Sequence, residues 1–257
     1  MILRKSNYRE PVEMEQIVRT SLSSYQAVVD HLRREMALGR IRPGDKLPAE
    51  RILAEQLGVA RETLRQGLRI LEGSGHIVVT RGAHGGAFVQ ESIIDPRVIR
   101  DDLQERWEGI LHLVEFRSIA ESGAARLAAT RRTETDLEAM LEAQRDLLDA
   151  ESTYDARLAD TAFHLVIAKA SGNPMLVTSI EDARVTMFSP VDLLAFNFAT
   201  RVTYDAHQDV IEAIERKDAE MAGKLMERHL SITRDEVTDL RKTIESRPVN
   251  AGARKIK

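Results

Sequence analysis

The 257-residue chain contains no cysteine and few aromatic residues, which make up 4% of the sequence. The absence of cysteine excludes disulfides, thiolate metal ligands and a cysteine nucleophile. No apolar run approaches the ~20 residues needed to span a bilayer, and the N-terminus lacks the basic-then-apolar pattern of a signal peptide. We therefore expect a soluble, cytoplasmic protein with no membrane partner.

Charged residues are abundant, at 30% of the chain, and the overall net charge of −4 does not by itself indicate nucleic-acid binding. The charge is unevenly divided, however. Residues 1–90 carry 14 Lys and Arg against 10 Asp and Glu, a net charge of +4, whereas the remainder carries −8. This asymmetry predicts that a nucleic-acid-binding surface lies in the N-terminal part.

Residues 47–75 contain two short helical patterns joined by a turn. Pro48 is predicted to start the first helix and Gly58 to end it, because a first-turn proline loses no hydrogen bond and glycine readily adopts the left-handed conformation after a helix. The second pattern has an apolar stripe (Leu64, Leu68, Leu71) beside a cationic stripe (Arg61, Arg65, Arg69). Such a stripe of arginines fits a solvated face, but it also fits the second helix of a helix-turn-helix, which enters the DNA major groove.

The flanking segments favour the DNA-binding interpretation. Upstream, apolar residues from Tyr25 to Met36 repeat with helical spacing, which predicts a third helix. Downstream, residues 76–80 and 87–89 are short β-like runs on either side of a glycine-rich segment. The chain up to residue 90 is thus expected to form three helices and a two-stranded wing.

These residues resemble the GntR family of bacterial winged-helix transcription regulators. The resemblance covers about 65 residues and includes PGDKLPAER at 43–51, GVARETLR at 58–65, and the Arg81-Gly82 pair in the wing. It implies DNA contacts from Arg51, Arg61, Thr63 and Arg65, with Arg81 and Gly82 approaching the minor groove. Arg61 and Arg65 suit guanine, and Arg51 and Thr63 suit phosphate.

Two positions depart from the family pattern. Ala60 and Glu62 stand where the family often has a hydroxyl residue or proline, so hydroxyl contacts to phosphate are lost there. Glu62 can instead accept a hydrogen bond from a cytosine amine, or repel phosphate.

The C-terminal part is predicted to be all-α. From about residue 101 to 244 the long segments keep a 3.6-residue period, enough for roughly six helices. Thr133 and Asp136 predict a helix N-cap, and the buried stripe of that helix is predicted to be Leu137, Met140, Leu141, Leu147 and Leu148. The expected organisation is a flexible arm at 1–20, the winged helix-turn-helix at 21–90, a linker at 91–97, the helical domain at 98–245 and a flexible tail at 246–257.

Polar residues interrupt the apolar stripes of this domain at four positions. Asp160 and His164 share one helical face, while His207 and His229 each occupy a position where a core residue is expected. A single such histidine is more often a hydrogen-bonded core residue than a ligand. Three histidines and one aspartate together suit a divalent ion, with Zn²⁺ or Ni²⁺ favoured, and leave coordination positions open in an octahedral site.

The same motifs resemble the FCD ligand-binding domain found in the FadR branch of the GntR family. The resemblance rests on D-x-x-F-H at 160–164, ASGN at 170–173, H-x-x-V-I at 207–211 and M-x-x-H-L at 226–230. It implies that Asp160, His164, His207 and His229 hold a metal, with a small organic acid bound beside it. Arg117 could pair with the effector carboxylate or simply with Glu121, four residues along its helix. Asn173 could line the pocket or cap a helix.

The expected function is ligand-controlled repression by a homodimer on a palindromic operator, with activation left open. A metal-dependent hydrolase is a weaker alternative, because no HExxH or comparable motif accompanies the histidines. A metal-responsive regulator, in which the ion itself is the signal, is the remaining alternative. The chain is not expected to be an enzyme.

Overall fold

The computed structural model describes residues 24–82, 85–90, 96–187 and 200–246. The chain divides into two compact units, Met1–Asp95 and Pro96–Lys257. The predicted arm at 1–20, residues 91–95 of the predicted linker and residues 247–257 of the predicted tail lie outside the described residues. Within the described ranges, no helix has both the length and the apolar character needed to cross a membrane.

The N-terminal unit is a three-helix domain followed by a β-hairpin. Its elements are α1 (Ser24–Ala37), α2 (Glu50–Gln56), α3 (Arg61–Gly73), β1 (Ile77–Thr80) and β2 (Gly86–Val89). The strands pair antiparallel, with Ile77 opposite Val89 and Thr80 opposite Gly86. Leu64, Leu68 and Leu71 of α3 are buried in the core that the three helices share with the hairpin. The predicted winged helix-turn-helix fold is confirmed.

The turn between α2 and α3 forms at Gly58, as predicted, where φ is +67°. The prediction for the other end of α2 is wrong, because the helix begins at Glu50 and not at Pro48. The chain before α2 instead pairs with β2: the Leu47 N–H donates to the carbonyl of Ala87 at 2.9 Å, and Lys46 bridges to Phe88. This pairing keeps the chain extended as far as Leu47 and delays the start of the helix.

Close packing of α1 on α3 occurs at Gly67, which is buried. A methyl group there would lie 2.8 Å from Cγ1 of Val28 and 3.3 Å from the carbonyl oxygen of Tyr25. Both distances are shorter than ordinary van der Waals contact, and Val28 is itself fully buried with a stiff, β-branched side chain. A side chain larger than hydrogen therefore does not fit between the two helices without displacing one of them.

Gly67→Ala is accordingly expected to lower the free energy of unfolding of the N-terminal unit by ~1–3 kcal/mol through overpacking. Gly73→Ala, in the same helix, is the matched control because its methyl group would meet no atom within 4 Å. The control should be neutral or stabilising by up to ~1 kcal/mol, since alanine favours helix more than glycine does. Urea unfolding of both full-length variants provides the measurement, and equal free energies for the two would contradict the packing argument.

The C-terminal unit is helical throughout the part that the structure describes. Its elements are α4 (Pro96–Arg131), α5 (Glu134–Leu148), α6 (Thr153–Ala170), α7 (Pro174–Met187), α8 (Thr200–Glu215) and α9 (Ala219–Ser246). The two longest helices, α4 and α9, pack against each other, α5 packs on α6 and α8, and α7 contacts α4 and α6. The predicted all-α domain is confirmed. Helix α4 starts at Pro96, inside the segment predicted as linker, because proline is well suited to the first helical position.

Helix α5 confirms one prediction and corrects another. Thr133 and Asp136 form a reciprocal capping box, as predicted. Leu141 and Leu148 were predicted to be buried but are 36% and 49% exposed. The buried face instead includes Gln144, which lies on the stripe of Leu137, Met140 and Leu147 at spacings of three and four residues. Leu141 and Leu148 are displaced from this stripe by one residue and lie on its edge.

Candidate functional site

The six residues predicted to contact DNA all have accessible surface in the N-terminal unit. Arg51, Arg61, Arg81 and Gly82 are exposed, whereas Thr63 and Arg65 are half-buried. Gly82 in the wing has φ of +114°, a conformation that strongly favours glycine. The described DNA-contact candidates thus belong to α2, the first turns of α3 and the wing, the three parts that a winged helix presents to a duplex.

Arg65 is held between two carboxylates. Its guanidinium lies 3.2 Å from Glu62 in the same helix and 3.2 Å from Glu50 at the start of α2. Arg51 pairs less closely with Glu55, at 3.5 Å, and its side chain is 70% exposed. Glu62, one of the two departures from the family pattern, therefore restrains the orientation of the Arg65 guanidinium on α3.

The four predicted metal ligands come together in the C-terminal unit. Asp160 and His164 belong to α6, His207 to α8 and His229 to α9, and one ligand atom from each lies within 4.8 Å of the others. The three histidines are buried and Asp160 is partly buried. Nε2 of His229 is 3.2 Å from Nε2 of both His164 and His207. Oδ1 of Asp160 is 3.5 Å from Nε2 of His164 and 3.4 Å from Nε2 of His207.

The chemistry of this donor set fits a metal ion. Nδ1 of His207 faces Oε1 of Gln144 at 3.2 Å, and Nδ1 of His164 contacts a carboxylate oxygen of Glu121. Each of those acceptors favours the Nδ1–H tautomer, so Nε2 of both rings presents a lone pair to the Asp160 carboxylate and to His229. These lone pairs and the anionic Oδ1 of Asp160, 3.5 and 3.4 Å away, repel one another, and a cation among them turns the repulsion into coordination. Ligands at ~2.1 Å from one ion and at right angles to each other are about 3.0 Å apart, close to the observed spacing.

The carboxylate of Asp160 is kept ionised by its neighbours. Burial opposes its ionisation, but the Arg184 guanidinium and the adjacent imidazoles outweigh burial and hold the pKa of Asp160 well below its usual value. Arg184 is almost fully buried, contacts Oδ2 of Asp160, and donates to Oγ1 of Thr161 at 3.2 Å. Oδ1 of Asp160 thus remains directed at the histidines while Oδ2 is engaged by Arg184.

A second buried ion pair supports His164. Nε of Arg117 donates to Oε1 of Glu121 at 2.6 Å, and the other oxygen of Glu121 contacts Nδ1 of His164. Burial raises the pKa of Glu121, yet Arg117 and His164 outweigh that effect and place it well below its usual value. A carboxylate behind a ligating imidazole orients the ring and increases its basicity toward a metal.

The other two imidazoles are held neutral. Burial lowers the pKa of His207 to about 4, against the opposing effect of Asp160. Burial, followed by the nearby His207 and His164, holds the pKa of His229 well below its usual value. Neutral imidazole is the form that binds metal, so neither ring must lose a proton near neutral pH before coordination.

The two predicted effector contacts are both engaged within the protein. Arg117 is buried, pairs with Glu121 and also contacts Sδ of Met187 at 2.9 Å. Oδ1 of Asn173 accepts from the backbone N–H of Met175 at 3.1 Å, which caps the start of α7. In the described structure, Arg117 therefore forms a salt bridge with Glu121 and Asn173 caps a helix. These were the two predicted alternatives to a ligand contact.

Three polar residues around the cluster were not identified from the sequence as parts of it: Gln144, Thr161 and Arg184. Each is a polar residue at a buried helical position where an apolar residue is expected. The same pattern identified the histidines. Arg184 follows Ile180 by four residues and precedes Met187 by three, and all three are buried. The spacing of buried positions could have identified Arg184 and Gln144, but not the residues that they contact on other helices.

Both units match known families. The family model described as "Bacterial regulatory proteins, gntR family" matches residues 24–89, and the model described as "FCD domain" matches residues 112–231. The second match includes all four residues of the cluster.

Relatives with similar sequences are named as transcription regulators. The putative L-lactate dehydrogenase operon regulatory protein of Escherichia coli (strain K12) is 33% identical over 225 residues, covering 79% of this chain and 82% of that protein. The Glc operon transcriptional activator of the same strain is 31% identical over 173 residues, covering 65% and 68%. Among solved structures, E. coli McbR/YncC matches with a TM-score of 0.47 and 23% identity over 86% of this chain and 99% of that one.

Proposed function

Because the chain belongs to the gntR family of bacterial regulatory proteins and carries an FCD domain, it is a DNA-binding transcriptional regulator and not an enzyme, and we propose that it is a repressor controlled by a small organic acid. In this proposal the N-terminal unit binds the operator and the C-terminal unit binds the acid next to a divalent ion. The observation that carries the proposal is the convergence of three buried imidazoles and one ionised carboxylate inside the FCD domain.

The DNA contacts follow from the surface of the N-terminal unit. In the proposal Arg61 and Arg65 read guanine O6 and N7 from α3, and Arg51 and Thr63 contact phosphate. Arg81 and Gly82 bring the wing to the minor groove. A homodimer presents two such surfaces to half-sites about one helical turn apart, so the operator is palindromic.

The acid binds through the metal and through cations near it. A bound Zn²⁺ or Ni²⁺ supplies open coordination positions for carboxylate oxygens. Arg117 and Asn173 contact the acid if they exchange their present partners for it. Support for a small acid comes from a relative named for an L-lactate dehydrogenase operon, since lactate is a hydroxy acid that can chelate a metal.

Control requires that the acid bind the two states of the regulator with different affinities. An acid that prefers the DNA-free arrangement of the dimer shifts the population away from operator binding, and only the difference in affinity can do so. The expected sign is loss of operator binding on addition of acid. The Glc operon relative is named as an activator. Stronger operator binding on addition of acid would therefore favour activation over repression for this chain.

The proposal is tested with operator DNA selected in vitro by the full-length protein. We expect selected sequences to be palindromic and a gel-shift titration to show weaker binding when Zn²⁺ and one of a panel of hydroxy acids and dicarboxylates are both present. Zn²⁺ without acid should leave binding unchanged. A response to Zn²⁺ alone would favour the metal-responsive alternative, and no response to any acid would contradict effector control.

Arg65→Ala should weaken operator binding by ~1–3 kcal/mol and relax the preference at one base pair, as expected for an arginine that reads guanine. Arg69→Ala is the matched control: it removes an exposed arginine one turn further along the same stripe, at a position that the family pattern does not assign to DNA. Gel-shift titration against the selected operator and single-base variants provides both readouts. Equal losses for Arg65→Ala and Arg69→Ala, with no change in base preference, would remove Arg65 from the base-reading residues.

A further inference from the structure

Gln144 is a polar residue buried in the middle of α5, with 3% of its surface exposed. Its side chain bridges to two positions on α8. Oε1 lies 3.2 Å from Nδ1 of His207, and Nε2 donates to the backbone carbonyl of Tyr204 at 3.0 Å. The Gln144 amide therefore contacts both the ring of His207 and the backbone of the helix that carries it.

The Tyr204 carbonyl fixes which way the amide faces. A carbonyl oxygen only accepts hydrogen bonds, so the amide group opposite it must be the NH₂ group, and Oε1 must face His207. Oε1 also only accepts, so Nδ1 of His207 must carry the proton. Nε2 is then unprotonated where it faces Oδ1 of Asp160 and Nε2 of His229, at 3.4 and 3.2 Å.

The plane of the His207 ring is held separately. Phe163 stacks on it with the ring centroids 3.7 Å apart and the planes inclined by 15°. Stacking restrains the plane but does not distinguish one tautomer from the other, because both present the same face to the phenyl ring. The hydrogen bond that Nδ1–H of His207 donates to Oε1 of Gln144 is what distinguishes them.

We propose that Gln144 is a positioning residue, which fixes the Nδ1–H tautomer of His207 and thereby sets the affinity of the cluster for its metal. The inference rests on the metal centre of the proposed function and adds to it a residue from a helix that supplies none of the four ligands. Its partner is neutral, unlike the Glu121 carboxylate behind His164. The site therefore requires a hydrogen-bond acceptor at position 144, and it does not require a charge there.

Two substitutions separate the acceptor from the packing. Gln144→Met keeps a long side chain of similar shape but removes the amide oxygen, and Gln144→Glu keeps oxygen acceptors. Met140→Leu, one turn earlier on the same buried face of α5, is the control for a disturbed core. Competition with a chromophoric chelator measures Zn²⁺ affinity, and nitrogen-15 NMR of the metal-free protein reports which nitrogen of His207 carries the proton.

We expect the wild-type His207 to be protonated at Nδ1. Gln144→Met should populate the Nε2–H tautomer and weaken Zn²⁺ binding by about 10–100-fold, the usual effect of losing an outer-shell partner. Gln144→Glu should retain the Nδ1–H tautomer and bind Zn²⁺ far more tightly than Gln144→Met. Met140→Leu should match the wild type in both measurements.

The inference is overturned if Gln144→Met changes neither the tautomer nor the affinity, or if Gln144→Glu and Gln144→Met lose affinity equally, which would indicate a packing role. Neither outcome would argue against the proposed metal centre, because the wild-type chain binds Zn²⁺ in both cases. A wild-type chain that takes up no Zn²⁺ would instead contradict the metal centre of the proposed function, and the inference about affinity with it.

Discussion

His229→Ala is expected to reduce metal affinity by more than ~100-fold, beyond the 10–100-fold loss typical of outer-shell substitutions, while operator binding in the absence of acid is unchanged. The effect is large because His229 is the predicted ligand whose Nε2 lies 3.2 Å from both other imidazoles of the cluster. Its removal leaves one carboxylate and two imidazoles. Operator binding is spared because the predicted DNA contacts belong to the other unit.

Metal content by elemental analysis after dialysis against trace Zn²⁺ measures the first effect. Met226→Ala is the matched control, since Met226 is also buried, lies one turn earlier on α9 and is not one of the predicted ligands. Both variants leave a cavity, with a cost of ~2–5 kcal/mol expected for Met226→Ala, but only His229→Ala should lose its metal. Full occupancy in His229→Ala would exclude this residue from the coordination shell.

Arg184→Met is expected to lower the free energy of unfolding of the metal-free protein by ~3–5 kcal/mol, the cost of leaving a buried charge without its partner. Arg184 is 1% exposed and contacts the ionised carboxylate of Asp160. Methionine fills much of the same volume but cannot offset the negative charge. The loss should shrink in the double variant Arg184→Met with Asp160→Asn, because no carboxylate then remains to be neutralised.

An exposed ion pair in the same unit provides the comparison. Arg216 lies 3.5 Å from Glu212 with 61% of its side chain exposed, and Arg216→Met should cost less than ~1 kcal/mol. Urea unfolding in the presence of a chelator gives the free energies of unfolding of the wild type, Arg184→Met, the double variant and Arg216→Met. If the double variant were as unstable as Arg184→Met, the loss would come from packing and not from the charge of Asp160.

The sequence predicted the fold and the cluster because both depend on local spacing. His207 and His229 stand on apolar helical stripes, and Asp160 and His164 are four residues apart, so their shared chemistry could be recognised without knowing how the helices pack. The same reasoning failed where tertiary pairing decides the outcome. The extended chain before α2 is held by β2, which moved the start of that helix from Pro48 to Glu50.

The environment of the cluster could not be predicted in the same way. Glu121 was expected only as a partner for Arg117, but its second oxygen contacts His164 on a different helix. Gln144 reaches His207 across 63 positions in the sequence, and Arg184 reaches Asp160 across 24. Such contacts depend on the relative placement of α4, α5, α6, α7 and α8, which no pattern within one helix specifies.

In the proposed function, DNA is bound by one unit and the signal is received at the proposed metal centre of the other. The most direct test of this function is operator affinity during acid titration, compared between wild type and His229→Ala in the presence of Zn²⁺. We expect equal affinities without acid, a fall of about 5–150-fold in the wild type, typical of allosteric coupling, and no response in the variant. An equal response of the two proteins to acid would contradict the proposed function.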